Sequence, residues 1–183
     1  ARSSPYSTTM TSSANSPVSA NSDHTANHPA SSHLASSHPV RVYSGTWQWQ
    51  GFNIGYQYAG TDHTDAPAVV MIHGFGASSI HWRKNIPELA ARYQVYAIDL
   101  LGYGKSAKPT PGEPLDYTFE TWGQQVLDFC QQVVGKSIFL AANSIGCVVA
   151  MQAAVIDPSW VLGVALLDCS LRLLHDRKRE TLP

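Results

Sequence analysis

Apolar residues follow two kinds of pattern along this chain, and the two kinds alternate from residue 68 onward. Short continuous apolar runs, which predict strands buried on both faces, cover residues 68–72, 94–99, 137–142 and 161–168. Between them, apolar positions recur at helical spacing over residues 78–92, 118–134 and 145–156, with an interruption or restart at Pro87. Such alternation predicts an α/β fold with a mostly parallel sheet covered by helices.

The rest of the chain divides into a polar tail, a hairpin and a short end segment. Residues 1–39 contain twelve serines and four each of threonine, proline and histidine, with almost no large apolar side chains. This composition predicts a disordered tail, because too little surface is available for burial. Residues 40–58 alternate apolar and polar positions around Gly51 and predict a two-stranded hairpin. We therefore expect a folded core over 40–171 and the start of a cap region over 172–183.

Composition excludes several classes of function. Twelve basic and thirteen acidic residues give a net charge of -1, which would not attract nucleic acid. Three cysteines without a C-x-x-C pair argue against a disulfide scaffold or a structural zinc site, and favour a reducing compartment. We expect no metal or organic cofactor and a cytoplasmic location, with peripheral membrane association left open. The oligomeric state is not indicated by the sequence.

One uncharged stretch raises the alternative of a membrane span. Residues 137–156 are twenty residues without a formal charge, long enough to cross a bilayer. Asn143, Ser144 and Gly146 lie in the middle of this stretch, and polar groups there are costly in lipid. A strand, a sharp polar turn and a helix explain the same residues, so we expect no transmembrane span.

The turn in that stretch carries the first chemical motif. The sequence Ala142-Asn143-Ser144-Ile145-Gly146 matches the nucleophile elbow G-x-S-x-G, with alanine in place of the first glycine. A strained strand-to-helix turn needs small residues two positions either side of the serine, because the backbone passes closely there. Ser144 would project at a helix N-terminus, where negative charge is stabilised. The motif therefore predicts Ser144 as a nucleophile.

A glycine-rich turn follows the first buried strand and supplies a second motif. In His73-Gly74-Phe75-Gly76, the backbone N–H of Phe75 can turn inward. Together with the N–H of Ile145, it would form an oxyanion hole. Taken alone, this segment is better explained as a plain β-to-α turn with two glycines, but the two motifs together favour the oxyanion hole.

With a third segment, the order of motifs resembles a known family. The stretches HGFGASSIHW, DLLGYGKS and NSIG, in this order and at these spacings, look like the N-terminal half of an α/β-hydrolase fold protein. Asn143 and the stretch LRLLHDRKR resemble the pheophytinase-like esterases of photosynthetic organisms. The resemblance implies a sheet of α/β-hydrolase type, a structural role for Asp99, and hydrolysis of a small-molecule ester, expected to be lipophilic, by Ser144.

The chain departs from the family after the nucleophile. In this fold the triad runs in the order Ser, acid, His. The acids that follow Ser144 are Asp157, Asp168, Asp176 and Glu180, and the one histidine is His175. Asp168, at the end of its strand, is the candidate acid, whereas His175 looks like the start of a cap helix. We expect the sheet to be truncated before its last strands, with the catalytic histidine and acid largely beyond residue 183. Alternatives are a non-catalytic binding protein of this fold, or an inactive fragment.

Overall fold

The computed structural model describes residues 40–112 and 114–169. The expected tail over 1–39, the expected cap start over 172–183 and His175 lie outside the described residues. Both the hairpin and the alternating strands and helices are present at the predicted places.

Six strands form one mixed sheet. The strands are β1 (Tyr43–Trp49), β2 (Phe52–Ala59), β3 (Ala68–Ile72), β4 (Gln94–Ile98), β5 (Ile138–Asn143) and β6 (Val161–Leu167). Their order across the sheet is β1-β2-β4-β3-β5-β6. The hairpin strand β2 pairs antiparallel with β1 and with β4, whereas β4, β3, β5 and β6 are parallel neighbours. The predicted mostly parallel sheet is confirmed.

Three α-helices cover the two faces of this sheet. They are α1 (Asn85–Ala90), α2 (Phe119–Phe129) and α3 (Ile145–Ile156). The larger core cluster packs α2 and α3 against one face, and the smaller cluster packs α1 and Trp82 against the other. Successive residues of β3 alternate between the two clusters, with Val70 and Ile72 in the larger and Met71 in the smaller. This period of two is the pleat of a strand buried on both faces.

Two helices differ from their predicted form. The segment predicted as a helix over 78–92, interrupted or restarted at Pro87, is a short 3₁₀ helix, Ser79–Trp82, followed by α1. The break falls before Asn85, and Pro87 lies within the first turn of α1, where its missing N–H costs no hydrogen bond. The helix predicted over 118–134 begins as α2 with Thr118 as its N-cap, then widens into a π-helix over Cys130–Val134. Gly135 ends it in the left-handed conformation, as its sequence position predicts.

Strand β6 lies at the edge of the sheet formed by the described residues. It pairs with β5 alone, and Leu162, Val164, Leu166 and Leu167 are all exposed on it. The uncharged stretch 137–156 forms β5, the turn at Ser144 and α3, so the strand-turn-helix interpretation is confirmed. In the described part of the chain, no helix is both long and apolar enough to cross a bilayer.

Candidate active site

Residues 142–146, called the elbow below, form a strained turn between β5 and α3. Ser144 has φ 55° and ψ −121°, a conformation that non-glycine residues adopt at a cost of about 1–3 kcal/mol. It is the N-cap of α3, but its side chain makes no capping hydrogen bond. Its N–H donates to the carbonyl of Leu167 on β6 at 3.1 Å. The turn is thus held by a backbone hydrogen bond to β6, and the hydroxyl of Ser144 is not used to cap the helix.

Close backbone approach explains the small residues of the elbow. A Cβ on Gly146 would lie 2.5 Å from the carbonyl oxygen of His73 and 2.8 Å from that of Ile72. Both are backbone atoms of the neighbouring strand and turn, so they cannot rotate away. Ala142 is fully buried in the sheet, where it pairs with Ile72 on one side and Leu166 on the other, and its small side chain fits at this position. Glycine is therefore required after the serine, whereas alanine is tolerated before it.

The glycine turn, residues 73–76, lies directly beside the elbow. Strands β3 and β5 are parallel neighbours with Ile72 opposite Ala142, so the residues that follow each strand meet at the same edge. A Cβ on Gly74 would lie 3.0 Å from the Cβ of Ser144. Phe75 follows Gly74, and Ile145 follows Ser144 as the first residue of α3, whose N–H has no partner within the helix. Sheet register therefore brings the two predicted oxyanion donors to the serine.

His73 orients this turn from within the core. The side chain is fully buried; the N–H of Leu100 donates to Nε2 at 3.1 Å, and Nδ1 lies 2.8 Å from the carbonyl oxygen of Gly74. Nε2 accepts, so Nδ1 carries the proton and donates to Gly74. Because carbonyl and N–H point in opposite directions across a trans peptide, the N–H of Phe75 is directed away from His73. Burial lowers the pKa of His73 and keeps the ring neutral, although the Gly74 carbonyl and Asp99 oppose the shift.

Asp99 organises the loop of residues 99–106 and does not point at the elbow. Its carboxylate accepts hydrogen bonds from the N–H groups of Ser79, at 2.5 Å, and Lys105, at 2.8 Å. The hydroxyl of Ser106 donates to the backbone carbonyl of Asp99 at 2.6 Å and accepts from the N–H of Gly55. These contacts support the structural role inferred for Asp99.

The predicted acid lies at the same edge of the sheet. Leu167 pairs with Asn143, so Asp168 immediately follows the residue that holds the N–H of Ser144. Asp168 is exposed and has φ 49°. Nothing among the described residues bonds its carboxylate to a histidine. Its position is compatible with the prediction, and its role stays a prediction.

The histidines among the described residues make contacts with groups other than Ser144. Besides His73, they are His63, which bonds to the carbonyl of Ala90, and His81, which packs edge-on against Trp82. None of the three is hydrogen-bonded to Ser144. The described residues also contain no cluster of three or more His, Cys, Asp or Glu side chains that could hold a metal ion.

Two contributions to the site were not predicted from the sequence. The role of His73 was missed, although a histidine between a buried strand and a glycine is a visible signal. Phe75 was assigned only a backbone role, yet its ring is 78% exposed and packs edge-on against Tyr103, with centroids 6.2 Å apart. Tyr103 in turn contacts the ring of His73. An aromatic surface thus adjoins the elbow.

Comparison with known proteins agrees with this geometry. A family model described as the alpha/beta hydrolase fold matches residues 67–180, which is more than half of the chain. The chain belongs to the α/β-hydrolase fold family. Residues 73–76 and residues 142–146 both fall within the matched range.

The proteins similar to this chain include an esterase and a dehalogenase. The chain is 31% identical over 159 residues to the chloroplastic pheophytinase of Arabidopsis thaliana, covering 72% of this chain and 33% of that protein. It is 34% identical over 96 residues to a pimeloyl-[acyl-carrier protein] methyl ester esterase of Edwardsiella ictaluri, covering 52% of this chain and 34% of that protein. A haloalkane dehalogenase structure from Bradyrhizobium elkani matches with a TM-score of 0.64 at 28% identity, covering 70% of this chain and 42% of that one. The chain thus spans about a third of the length of these two curated relatives.

Proposed function

We propose that this chain carries the nucleophile and oxyanion hole of a serine hydrolase that cleaves a carboxylic ester of a lipophilic small molecule. The observation that supports this most strongly is the backbone of Ser144, a non-glycine residue at φ 55° between a buried strand and a helix. Such strain is retained only where the surrounding structure enforces it, and it is concentrated at functional sites. No structural need for a serine hydroxyl is visible here, because that hydroxyl does not cap α3.

The reaction would begin with attack of the Ser144 hydroxyl oxygen on the ester carbonyl carbon. The proton of the hydroxyl passes to a general base, and the carbonyl oxygen becomes an oxyanion. Backbone N–H groups of Phe75 and Ile145 would stabilise that oxyanion, helped by the N-terminus of α3. Collapse of the intermediate expels the alcohol, which takes up the proton, and leaves an acyl group on Ser144. Water then attacks the acyl-enzyme by the same route in reverse and releases the acid.

The general base is assigned to a part of the protein outside the described residues. His73 is excluded by its burial and by the use of both ring nitrogens. His63 bonds to the carbonyl of Ala90 and His81 packs against Trp82, and neither is hydrogen-bonded to Ser144. His175 lies outside the described residues, and Asp168 remains the candidate acid at the edge of the sheet.

The proposed substrate class follows from the surface beside the elbow and from the relatives. Phe75 follows Gly74, which lies against Ser144, and the backbone carbonyl of Leu167 accepts from the N–H of Ser144; the side chains of Phe75 and Leu167 are both exposed. These apolar groups suit the hydrocarbon part of an ester better than a charged group. The relatives named above include an ester esterase. A serine at the elbow favours transfer of an acyl group over displacement of a halide.

Labelling of the serine and ester hydrolysis together test the proposal. We expect the intact protein to react with a fluorophosphonate probe at Ser144 and to hydrolyse p-nitrophenyl esters. Ser144→Ala should abolish labelling and lower kcat by at least about 10⁴-fold, because the covalent route is lost.

Ser137→Ala is the matched control. Ser137 immediately precedes β5, at the end opposite the elbow, and its hydroxyl bonds to the carbonyl of Ser159. This variant should keep both labelling and turnover. A folded, intact protein that neither reacts with the probe nor hydrolyses esters would instead support the non-catalytic alternative.

A further inference from the structure

Two cysteines that the proposed mechanism does not use lie next to the elbow. Cys147 is the third residue of α3 and is fully buried, whereas Cys169 follows β6 and is half-buried. The thiol of Cys147 lies 3.3 Å from the carbonyl oxygen of Ala142 and 3.4 Å from that of Leu167. It also interacts with the side chain of Cys169. Both thiols are free.

The local backbone brings these two side chains together. Leu167 is the last residue of β6, and Asp168 has a positive φ of 49°, which turns the chain directly after the strand. Cys169 then packs back against the core cluster that contains Cys147. Twenty-one residues separate the two cysteines in sequence, so their proximity is created by the pairing of β5 with β6.

We propose that Cys147 and Cys169 form a redox-active thiol pair that reacts with a low-molecular-weight disulfide to give a reversible cross-link between α3 and the segment after β6. The thiolate of Cys169 attacks one sulfur of the small disulfide and releases one thiolate. The small thiolate released first takes up the proton of the Cys147 thiol, and the Cys147 thiolate then attacks the sulfur of Cys169 in the mixed disulfide; the second small thiolate leaves and takes up the proton lost by Cys169. The two protein thiols lose two electrons and two protons, and the small disulfide is reduced to two thiols.

The environments of the two cysteines fit this order of events. Burial, with a further contribution from Cys169, raises the pKa of the Cys147 thiol to about 11. Cys147 is therefore protonated and inaccessible near neutral pH, and it does not meet the oxidant first. Cys169 has partial access to solvent. Cys147 can still complete the exchange, because its partner is held beside it and the second step is intramolecular.

Peptide mapping of the intact protein tests the cross-link. The protein is incubated with oxidised glutathione, quenched with acid, denatured and alkylated. Neither lysine nor arginine occurs between Lys136 and Arg172, so trypsin releases both cysteines in one peptide. We expect that peptide to be two hydrogens lighter and unalkylated, and reduction to restore two alkylatable thiols. Cleavage before Asp157 and before Asp168 should then release residues 157–167, and leave 137–156 and 168–172 linked until reduced.

Variants separate a specific pair from general thiol oxidation. Cys130→Ser is the matched control, because Cys130 is also buried but packs beside α2, and this variant should still form the cross-link. Cys169→Ser should leave Cys147 as a free thiol after the same treatment. Recovery of both cysteines alkylated in the wild type, or of glutathione retained on Cys169 beside a free Cys147, would overturn the proposal.

Thermal unfolding gives a second readout. The cross-link should raise the unfolding midpoint of the wild type, because it restricts the unfolded chain between residues 147 and 169. Oxidised glutathione should not raise the midpoint of Cys169→Ser. A cross-linked wild type with an unchanged or lower midpoint would show that the bond does not fit the native arrangement.

Discussion

Adding one methyl group at Gly146 should separate the elbow from the glycine turn. In Gly146→Ala, the new Cβ would lie 2.5 Å from the carbonyl oxygen of His73, whereas ordinary contact begins at 3.4 Å. The helix and the turn must therefore move apart by about 0.9 Å. The new Cβ would also lie 2.8 Å from the backbone carbonyl oxygen of Ile72, so a shift away from His73 alone does not relieve the contact.

The size of this displacement sets the expected loss of activity. The oxyanion donors lie on the two parts that are forced apart, since Phe75 is within the glycine turn and Ile145 begins α3. A misplacement of about 1 Å costs on the order of 10²-fold in rate. We expect kcat of Gly146→Ala to fall by about 10²-fold, equivalent to about 2.7 kcal/mol of transition-state stabilisation. Stability should fall as well, by about 1–3 kcal/mol, as in other overpacked cores.

Steady-state hydrolysis of a p-nitrophenyl ester by the intact protein measures kcat and KM separately, and circular dichroism confirms that each variant is folded. Gly163→Ala is the matched control: its Cβ would meet only ring atoms of Phe139, at 3.1 Å, and that side chain is 41% exposed and can rotate. It should change kcat little. If folded Gly146→Ala keeps the wild-type kcat, close approach at the elbow is not what positions the oxyanion donors.

Two further predictions concern the glycine turn. Gly74→Val should abolish turnover, because even its Cβ would lie 3.0 Å from the Cβ of Ser144. Phe75→Ala retains the backbone N–H and should reduce kcat far less. Equal rates in the two variants would contradict the assignment of the Phe75 N–H as an oxyanion donor. The free energy of unfolding should fall as pH decreases below about 6.5, because burial lowers the pKa of His73 and the unfolded chain takes up the proton first. Urea unfolding at several pH values measures how steeply the free energy of unfolding changes with pH. This pH dependence should be smaller in His73→Gln, and an unchanged pH dependence would show that His73 is not its source.

The order of the elements and the tight turn at Ser144 could be predicted from the sequence because both depend on local patterns. A continuous apolar run identified β3 to the residue, as Ala68–Ile72, and apolar positions at helical spacing identified α3, as Ile145–Ile156. Small residues on either side of Ser144 identified a tight strand-to-helix turn, and Gly135 marked a helix end. Each of these signals reflects the conformational preferences of a few neighbouring residues.

Local patterns were less informative about where a helix is interrupted or changes its form. The helix predicted over 78–92, with an interruption or restart at Pro87, is divided before Asn85 instead, and Trp82 and Ile86 on either side of the break both pack in the smaller core cluster. The π-helical end of α2 was not predicted either. Fully buried Cys130 lies at the start of that turn, in the larger cluster.

Proximity across the sheet was decided by the tertiary structure alone. The sequence places His73, Ser144 and Cys169 far apart along the chain, and no local pattern states that they meet. They lie at one edge of the sheet because β3, β5 and β6 are parallel neighbours whose carboxyl ends are on the same side. The hydrogen bond from Leu100 to His73 follows from the pairing of β3 with β4, and the interaction of Cys147 with Cys169 follows from the pairing of β5 with β6. Sequence therefore determined which groups are available for chemistry, and strand pairing determined which of them act together, since contact between distant residues depends on sheet order rather than local preference.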